Sequence, residues 1–229
     1  MSSPFQYGRF GSLAPQIKRR AFFSFNFDDV MRVNVVRQAW KITHPDSASM
    51  RSFQDSSLWD SKQLSGDDAV KRLIREGVGH TSAVCVLIGT ETWQRRWVRY
   101  EIARAIIDGR GLVGVHLNNI KHHQTQTVHP LGLDPLAFMA VGKVQETVLG
   151  SARYYLFECK WVRTGSHHEW QWHRYADYTD PVTLPVWLSD PGPNYVSPLS
   201  RSTAIYDYMN GGHRDIGSWI DRAAQQAGR

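Results

Sequence analysis

Two hydrophobic periods alternate along the first half of this chain. Ala21-Phe22-Phe23-Ser24-Phe25 is a short β-prone run, and Asn26-Phe27-Asp28-Asp29 follows it with the acidic residues that favour a helix start. Val33, Val36 and Trp40 then recur at helical spacing, so the first unit reads as strand, acidic loop, helix. Ser52-Phe53 leads into Gln54-Asp55-Ser56-Ser57-Leu58-Trp59-Asp60, which is too polar for a core strand. Ser65 with Asp68 three residues on has capping-box spacing and opens a helix striped by Ala69, Val70, Leu73 and Ile74, which Gly77 or Gly79 stops. Ala83 to Ile88 is a continuous apolar run, as a parallel strand covered on both faces requires. A further helix spans about 94–107, with Trp97, Val98, Ile102, Ala105 and Ile106 on one side, and Leu112 to Leu117 gives another buried strand. Strands alternating with helices predict an α/β fold: an open, mostly parallel sheet with helices on both faces. Ligands of such sheets bind beyond the carboxyl ends of the strands.

From about His122 the character changes. A polar loop and the turn-rich Leu131-Gly132-Leu133-Asp134-Pro135-Leu136 lead into residues 154–187, which hold Tyr154, Tyr155, Phe157, Trp161, Trp170, Trp172, Tyr175, Tyr178 and Trp187. Alternation in Glu169-Trp170-Gln171-Trp172 predicts strands or a β-hairpin. The last amphipathic stretch, with Ile205, Tyr208, Ile216, Trp219 and Ile220, is expected to pack back onto the sheet as one or two helices. The organisation expected is therefore a flexible leader over 1–17, an α/β core over 18–145 and a C-terminal α+β elaboration over 146–229, packed on the same domain.

Composition narrows the class. The 229 residues are 41% hydrophobic and 21% charged, values of an ordinary globular chain, and no apolar run approaches the roughly 18–20 residues of a membrane helix. With 27 Lys and Arg against 21 Asp and Glu the net charge is +6, which permits a polyanionic or phosphorylated partner. The basic residues are scattered, the densest groups being Lys18-Arg19-Arg20 and Arg95-Arg96, and this argues against nucleic acid as the partner. Two cysteines, Cys85 in an apolar run and Cys159, fit a reduced compartment, and residues 1–16 lack the pattern of a signal peptide. The expectation is a cytoplasmic protein with no membrane association.

Among candidate chemical groups, Glu101 stands out. Trp97, Val98 and Ala105 lie at i−4, i−3 and i+4 from it, so its carboxylate projects beside the apolar stripe of its helix. The ordinary alternative is a solvated glutamate paired with Arg104 at i+3. His168-Glu169-Trp170-Gln171-Trp172-His173 is one residue too long for a zinc-binding H-E-x-x-H, and neither helix nor strand would put both histidines on one face. No metal site or cofactor is expected. Phosphate-loop, dinucleotide-fingerprint and nucleophile-elbow motifs are missing as well. The aromatics of 154–187 have the chemistry to stack on bases but more commonly fill a small core.

Several ordered motifs together resemble a known family. Phe22-Phe23-Ser24-Phe25 with its acidic loop, Arg32-Val33-Asn34-Val35-Val36-Arg37, Ser56-Ser57-Leu58-Trp59, Thr81 through Gly89, and Arg95-Arg96-Trp97-Val98-Arg99-Tyr100-Glu101-Ile102 look like a bacterial TIR domain of the ThsB type, from the Thoeris anti-phage systems. The resemblance runs over about 19–120, with a weaker echo in Ile205-Tyr206-Asp207-Tyr208 and Ser218-Trp219-Ile220. The usual TIR loop with Arg-Asp and Pro-Gly is absent.

The resemblance implies a flavodoxin-like TIR fold and an enzyme whose substrate, rather than cofactor, is NAD⁺. Such enzymes break the nicotinamide–ribose bond and rejoin ADP-ribose to itself, giving a cyclic ADP-ribose isomer. In Thoeris a phage-derived trigger starts this synthesis and the product activates a separate ThsA-type effector; related enzymes also assemble as homo-oligomers that complete the site. Glu101 matches the catalytic glutamate. Substrate contacts are expected from Phe23, Ser24, Phe25, Asn26 and Ser57, with Trp97, Tyr100 and Phe25 as stacking candidates. Nicotinamide leaves as a neutral ring, so the group in need of stabilisation is the oxocarbenium-like ribose, and Glu101 must act as the anion. Two rivals remain open: a non-enzymatic TIR adaptor, and a nucleoside deoxyribosyltransferase-like enzyme, which also sets a carboxylate at a ribosyl carbon.

Overall fold

The computed structural model describes residues 19–43, 66–146 and 150–229. The leader and the Asp55-Ser56-Ser57 segment lie outside the described residues. Strand β1 (Ala21–Phe25) runs through a short 3-10 turn into helix α1 (Val30–Thr43). Helix α2 (Asp67–Gly79), strand β2 (Ala83–Ile88), helix α3 (Arg96–Ile107) and strand β3 (Gly111–His116) follow. The helix opening α2 is capped at Gly66, whose φ of 91° suits glycine, so the position expected for Ser65 falls one residue later.

β1, β2 and β3 pair in parallel, Phe23 opposite Cys85 and Cys85 opposite Val113. The fourth strand comes from the far end of the chain. Strand β8 (Ile205–Asp207) pairs in parallel with β3, giving the order β1-β2-β3-β8. Only the second half of the final amphipathic stretch is therefore helical, as α4 (Gly212–Gln226); Ile205 sits in a strand. Every residue of β2 is buried, because α1 and α4 cover one face of the sheet and α2 and α3 the other. Trp40 of α1 packs edge-on against Phe23, with ring centroids 6.3 Å apart.

The remaining strands form a second, antiparallel sheet. Strands β4 (Met139–Gln145), β5 (Ala152–Thr164), β6 (His167–Arg174) and β7 (Val196–Pro198) take the order β6-β5-β4-β7. The expected hairpin is β5–β6, turning at Gly165 with φ 62°. One face of this sheet, through Met139, Val141 and Leu156, joins the same hydrophobic cluster as α2 and α3. Helix α3 thus lies between two sheets. That is why seven of its twelve residues, Glu101 among them, are buried.

A candidate active site at Glu101

Side chains alternate along β1, and this decides what each candidate does. Phe22 and Ser24 face α3, whereas Phe23 and Phe25 face α1. Ser24 is fully buried and its Oγ donates to Oε2 of Glu101 at 2.5 Å, across 77 residues of sequence. Glu101 is 6% exposed and has no cation within ion-pair reach among the described residues. Arg104, its partner in the alternative of a solvated glutamate, is pulled instead to Asp108 one turn further on. Burial pushes the Glu101 carboxyl up to about 8, and the Ser24 hydroxyl opposes that shift only in part.

Above this pair opens a cleft of about 310 Å³, at the carboxyl end of β1 and the amino end of α3. Phe23, Phe25, Asn26, Phe27 and Asp28 line one wall; Arg95, Arg96, Trp97 and Val98 line the other, with Glu101 between them. The structure therefore brings Phe25, Asn26, Trp97 and Glu101 together around one space. Phe23 reaches its edge, but its ring is 2% exposed and committed to the α1 core. Tyr100 does not reach it. Its ring is buried in the core, edge-on to Trp97 at 6.2 Å with the Lys71 ammonium 5.6 Å from its centre. Ser57 lies outside the described residues.

Sequence reasoning did not assign Arg95, Arg96, Phe27 and Asp28 to the site. The dibasic pair was visible, but only tertiary structure shows both guanidinium groups at the cleft. Arg95 donates to Asp28 at 3.0 Å across the mouth. Arg96 stacks over Trp97 at 4.7 Å and is clamped by carboxylates from two distant elements: Asp67 at 2.6 Å, and Asp177 at 3.0 and 2.8 Å. Asp177 also accepts from Lys71 at 2.8 Å, and the two cations hold its carboxyl down to about 2. Asp177 follows β6, so the C-terminal region fixes one wall of the cleft.

Chemically, the arrangement offers a dry carboxyl on the floor, aromatic surface on the walls and cations at the rim. That is suited to a ligand with a cationic or apolar ring inside and anionic groups outside. Residues 22–122 match the family described as "Thoeris protein ThsB, TIR-like domain". The chain is also 32% identical over 215 residues to the protein named "Putative cyclic ADP-D-ribose synthase ThsB1" of Bacillus cereus (strain MSX-D12), an alignment covering 89% of this chain and 99% of that one. With the parallel sheet and the buried Glu101 in place, the chain belongs to the ThsB family of Thoeris proteins, its TIR-like domain carrying the cleft.

Proposed function

We propose that this protein cleaves the nicotinamide–ribose bond of NAD⁺ at Glu101 and closes the remaining ADP-ribose into a cyclic ADP-ribose isomer, a signal for a ThsA-type effector in anti-phage defence. The observation that carries the reading is Glu101 itself: a buried carboxyl whose partner among the described residues is the Ser24 hydroxyl, on the floor of a cleft at the carboxyl end of a parallel strand.

In the reaction the C1′–N1 bond breaks and its electron pair stays on nicotinamide, which departs as a neutral ring. Positive charge then develops at C1′ of the ribose, and the Glu101 carboxylate stabilises it through the dry cleft, where opposite charges attract more strongly than in water. A nucleophilic atom of the adenosine half closes the ring on C1′, with release of one proton overall. Phe25 and Trp97 exclude the water that would otherwise hydrolyse the intermediate. Arg95 at the rim meets the diphosphate, exchanging its exposed contact with Asp28 for it.

A carboxyl titrating near 8 is mostly neutral at pH 7, yet the chemistry needs the anion. The substrate resolves this. A cationic nicotinamide beside Glu101 favours ionisation and brings the carboxyl back down. Substrate binding is thus coupled to proton release from Glu101, and an empty site stays uncharged.

The test is nicotinamide release and cyclic-product formation, followed by mass spectrometry in lysates of phage-infected cells carrying wild type or Glu101→Gln. Nicotinamide and a cyclic ADP-ribose isomer in the wild type alone support the reading. Equal output from both proteins overturns it. So does wild-type protein that neither binds nor consumes NAD⁺, the result an adaptor would give.

A further inference from the structure

The aromatic C-terminal residues do not all fill a core. Along β5 and β6 the inward positions, such as Leu156 and Glu158, face α3, and the outward ones form a separate surface. Trp161 and Trp170 are cross-strand partners on that outward face, with ring centroids 5.1 Å apart and exposures of 56% and 44%. Phe157 and Trp172 stand on the same face, both half-buried. Behind them, Phe138 and Trp93 brace Trp170 at 4.9 and 6.1 Å, so the rings are held rigidly without being covered.

Cations outnumber anions on this face. The outward positions of β5 and β6 between 153 and 174 contain Arg153, Arg163, Arg174 and His168, and no Asp or Glu. Arg153 is paired with Glu146. Arg163 and Arg174 have no carboxylate partner among the described residues: Arg163 donates to the Gly165 carbonyl at 3.2 Å, and Arg174 lies over the Tyr155 ring at 3.3 Å. A guanidinium stacked on a ring keeps its in-plane N–H groups for an anion. The strand acids point the other way, where Glu158 is held by Arg99 at 3.2 Å and Lys160 at 2.8 Å.

We propose that the outward face of the β5–β6 hairpin binds single-stranded nucleic acid, with bases on Trp161 and Trp170 and phosphates on Arg163 and Arg174. Ring faces at the surface accept any unpaired base. Trp161 and Trp170 stand side by side across the hairpin, 5.1 Å between ring centroids, and Trp172 continues the row about 6.8 Å further along β6. A duplex offers no free base face to such rings, and tryptophans flanked by Arg163 and Arg174 complement a polyanion with flat rings; the carboxylate at this face, Glu146, is held by Arg153 and the Tyr155 hydroxyl. The site is distinct from the Glu101 cleft and does not depend on the chemistry proposed there.

The experiment uses the full chain and a labelled oligothymidylate of about twelve nucleotides, read by fluorescence anisotropy and tryptophan quenching in about 50 mM salt. Saturable binding is expected, weakened roughly tenfold by Trp161→Ala or Trp170→Ala and largely restored by Trp161→Phe. Arg163→Gln and Arg174→Gln should each weaken binding and flatten its salt dependence by about one counterion. Absence of binding at that salt overturns the proposal. Equal affinity for dextran sulfate, with Trp161→Ala unaffected, reduces the surface to unspecific charge and overturns it too. Self-association that Trp161→Ala abolishes, without oligonucleotide binding, would assign the face to a second copy instead.

Discussion

The two sheets of this protein solve opposite problems. Strands β1, β2 and β3 of the parallel sheet are buried on both faces, so they are almost uniformly apolar and polar chemistry is confined to where they end. The antiparallel sheet is buried on one face only, and its long hairpin alternates between core and surface. In the first, a single polar side chain inside a strand is conspicuous: Ser24, which meets Glu101. In the second, polar and aromatic groups are spread over an area, and what they do is set by their collective charge and exposure. The first environment suits the reaction proposed at Glu101, because desolvation shifts pKa values there, and the second suits the surface recognition proposed for the hairpin.

The contrast can be pressed at four positions. Trp40→Ala should cost about 3–5 kcal/mol, because the ring is fully buried against Phe23 beneath the parallel sheet, and urea unfolding measures it directly. Glu101→Gln should stabilise the fold under alkaline conditions. The folded carboxyl titrates near 8 and the unfolded one at its ordinary value of 4.5, so stability is complete below 4.5, falls by about 1.4 kcal/mol per pH unit between those values, and is level above 8. The glutamine variant escapes that loss, so its melting temperature should exceed the parent's at pH 8 by several degrees and converge with it near pH 4.5. A gap independent of pH would show that Glu101 is not the desolvated group described.

Ser24→Ala removes the hydrogen bond that, among the described residues, favours the Glu101 anion. The acid limb of the pH profile for NAD⁺ cleavage, read as kcat/KM, should move up by roughly one unit, with the alkaline plateau lowered less than tenfold. The smallest change belongs to the antiparallel sheet. Trp161→Ala should alter unfolding stability by less than about 1 kcal/mol, since the ring is 56% exposed and loses mainly a cross-strand contact. If Trp161 proved as costly as Trp40, the outward face would be a core and the contrast between the sheets would fail.

Much of this was legible in one dimension. The runs at 21–25, 83–88 and 112–117 and the helical stripes between them specify parallel strands and covering helices, because a period is a local property. The Glu101 motif was legible too, as was a hairpin in the tryptophan-rich stretch. The segment Phe23-Ser24-Phe25-Asn26 was legible as lying against Glu101, but which of its side chains makes the bond was not. Arg104 is its helical neighbour, yet Asp108 takes that arginine, and the actual contact comes from Ser24, 77 residues away. Tyr100 adjoins Glu101 in sequence but lies about 100° around the helix, which buries it in the core instead of the cleft. Ile205, grouped by pattern with a final helix, becomes the edge strand beside β3, since three residues are too few for a period to declare itself.

The sequence by itself determined the α/β order, the ThsB motifs and a helical glutamate beside an apolar stripe, all of which are written in neighbours a few residues apart. Only the tertiary structure decided that Glu101 is dry, because that required α3 to pack on the parallel sheet with the carboxyl against Ser24 of β1. It alone placed Arg95 and Arg96 at the rim, with Asp177 from beyond β6 holding one of them. The net charge of +6 looked dispersed along the chain. Folding the hairpin gathered arginines and open tryptophans onto one face, since strand alternation sorts residues by parity and cross-strand register sets the sorted rows side by side.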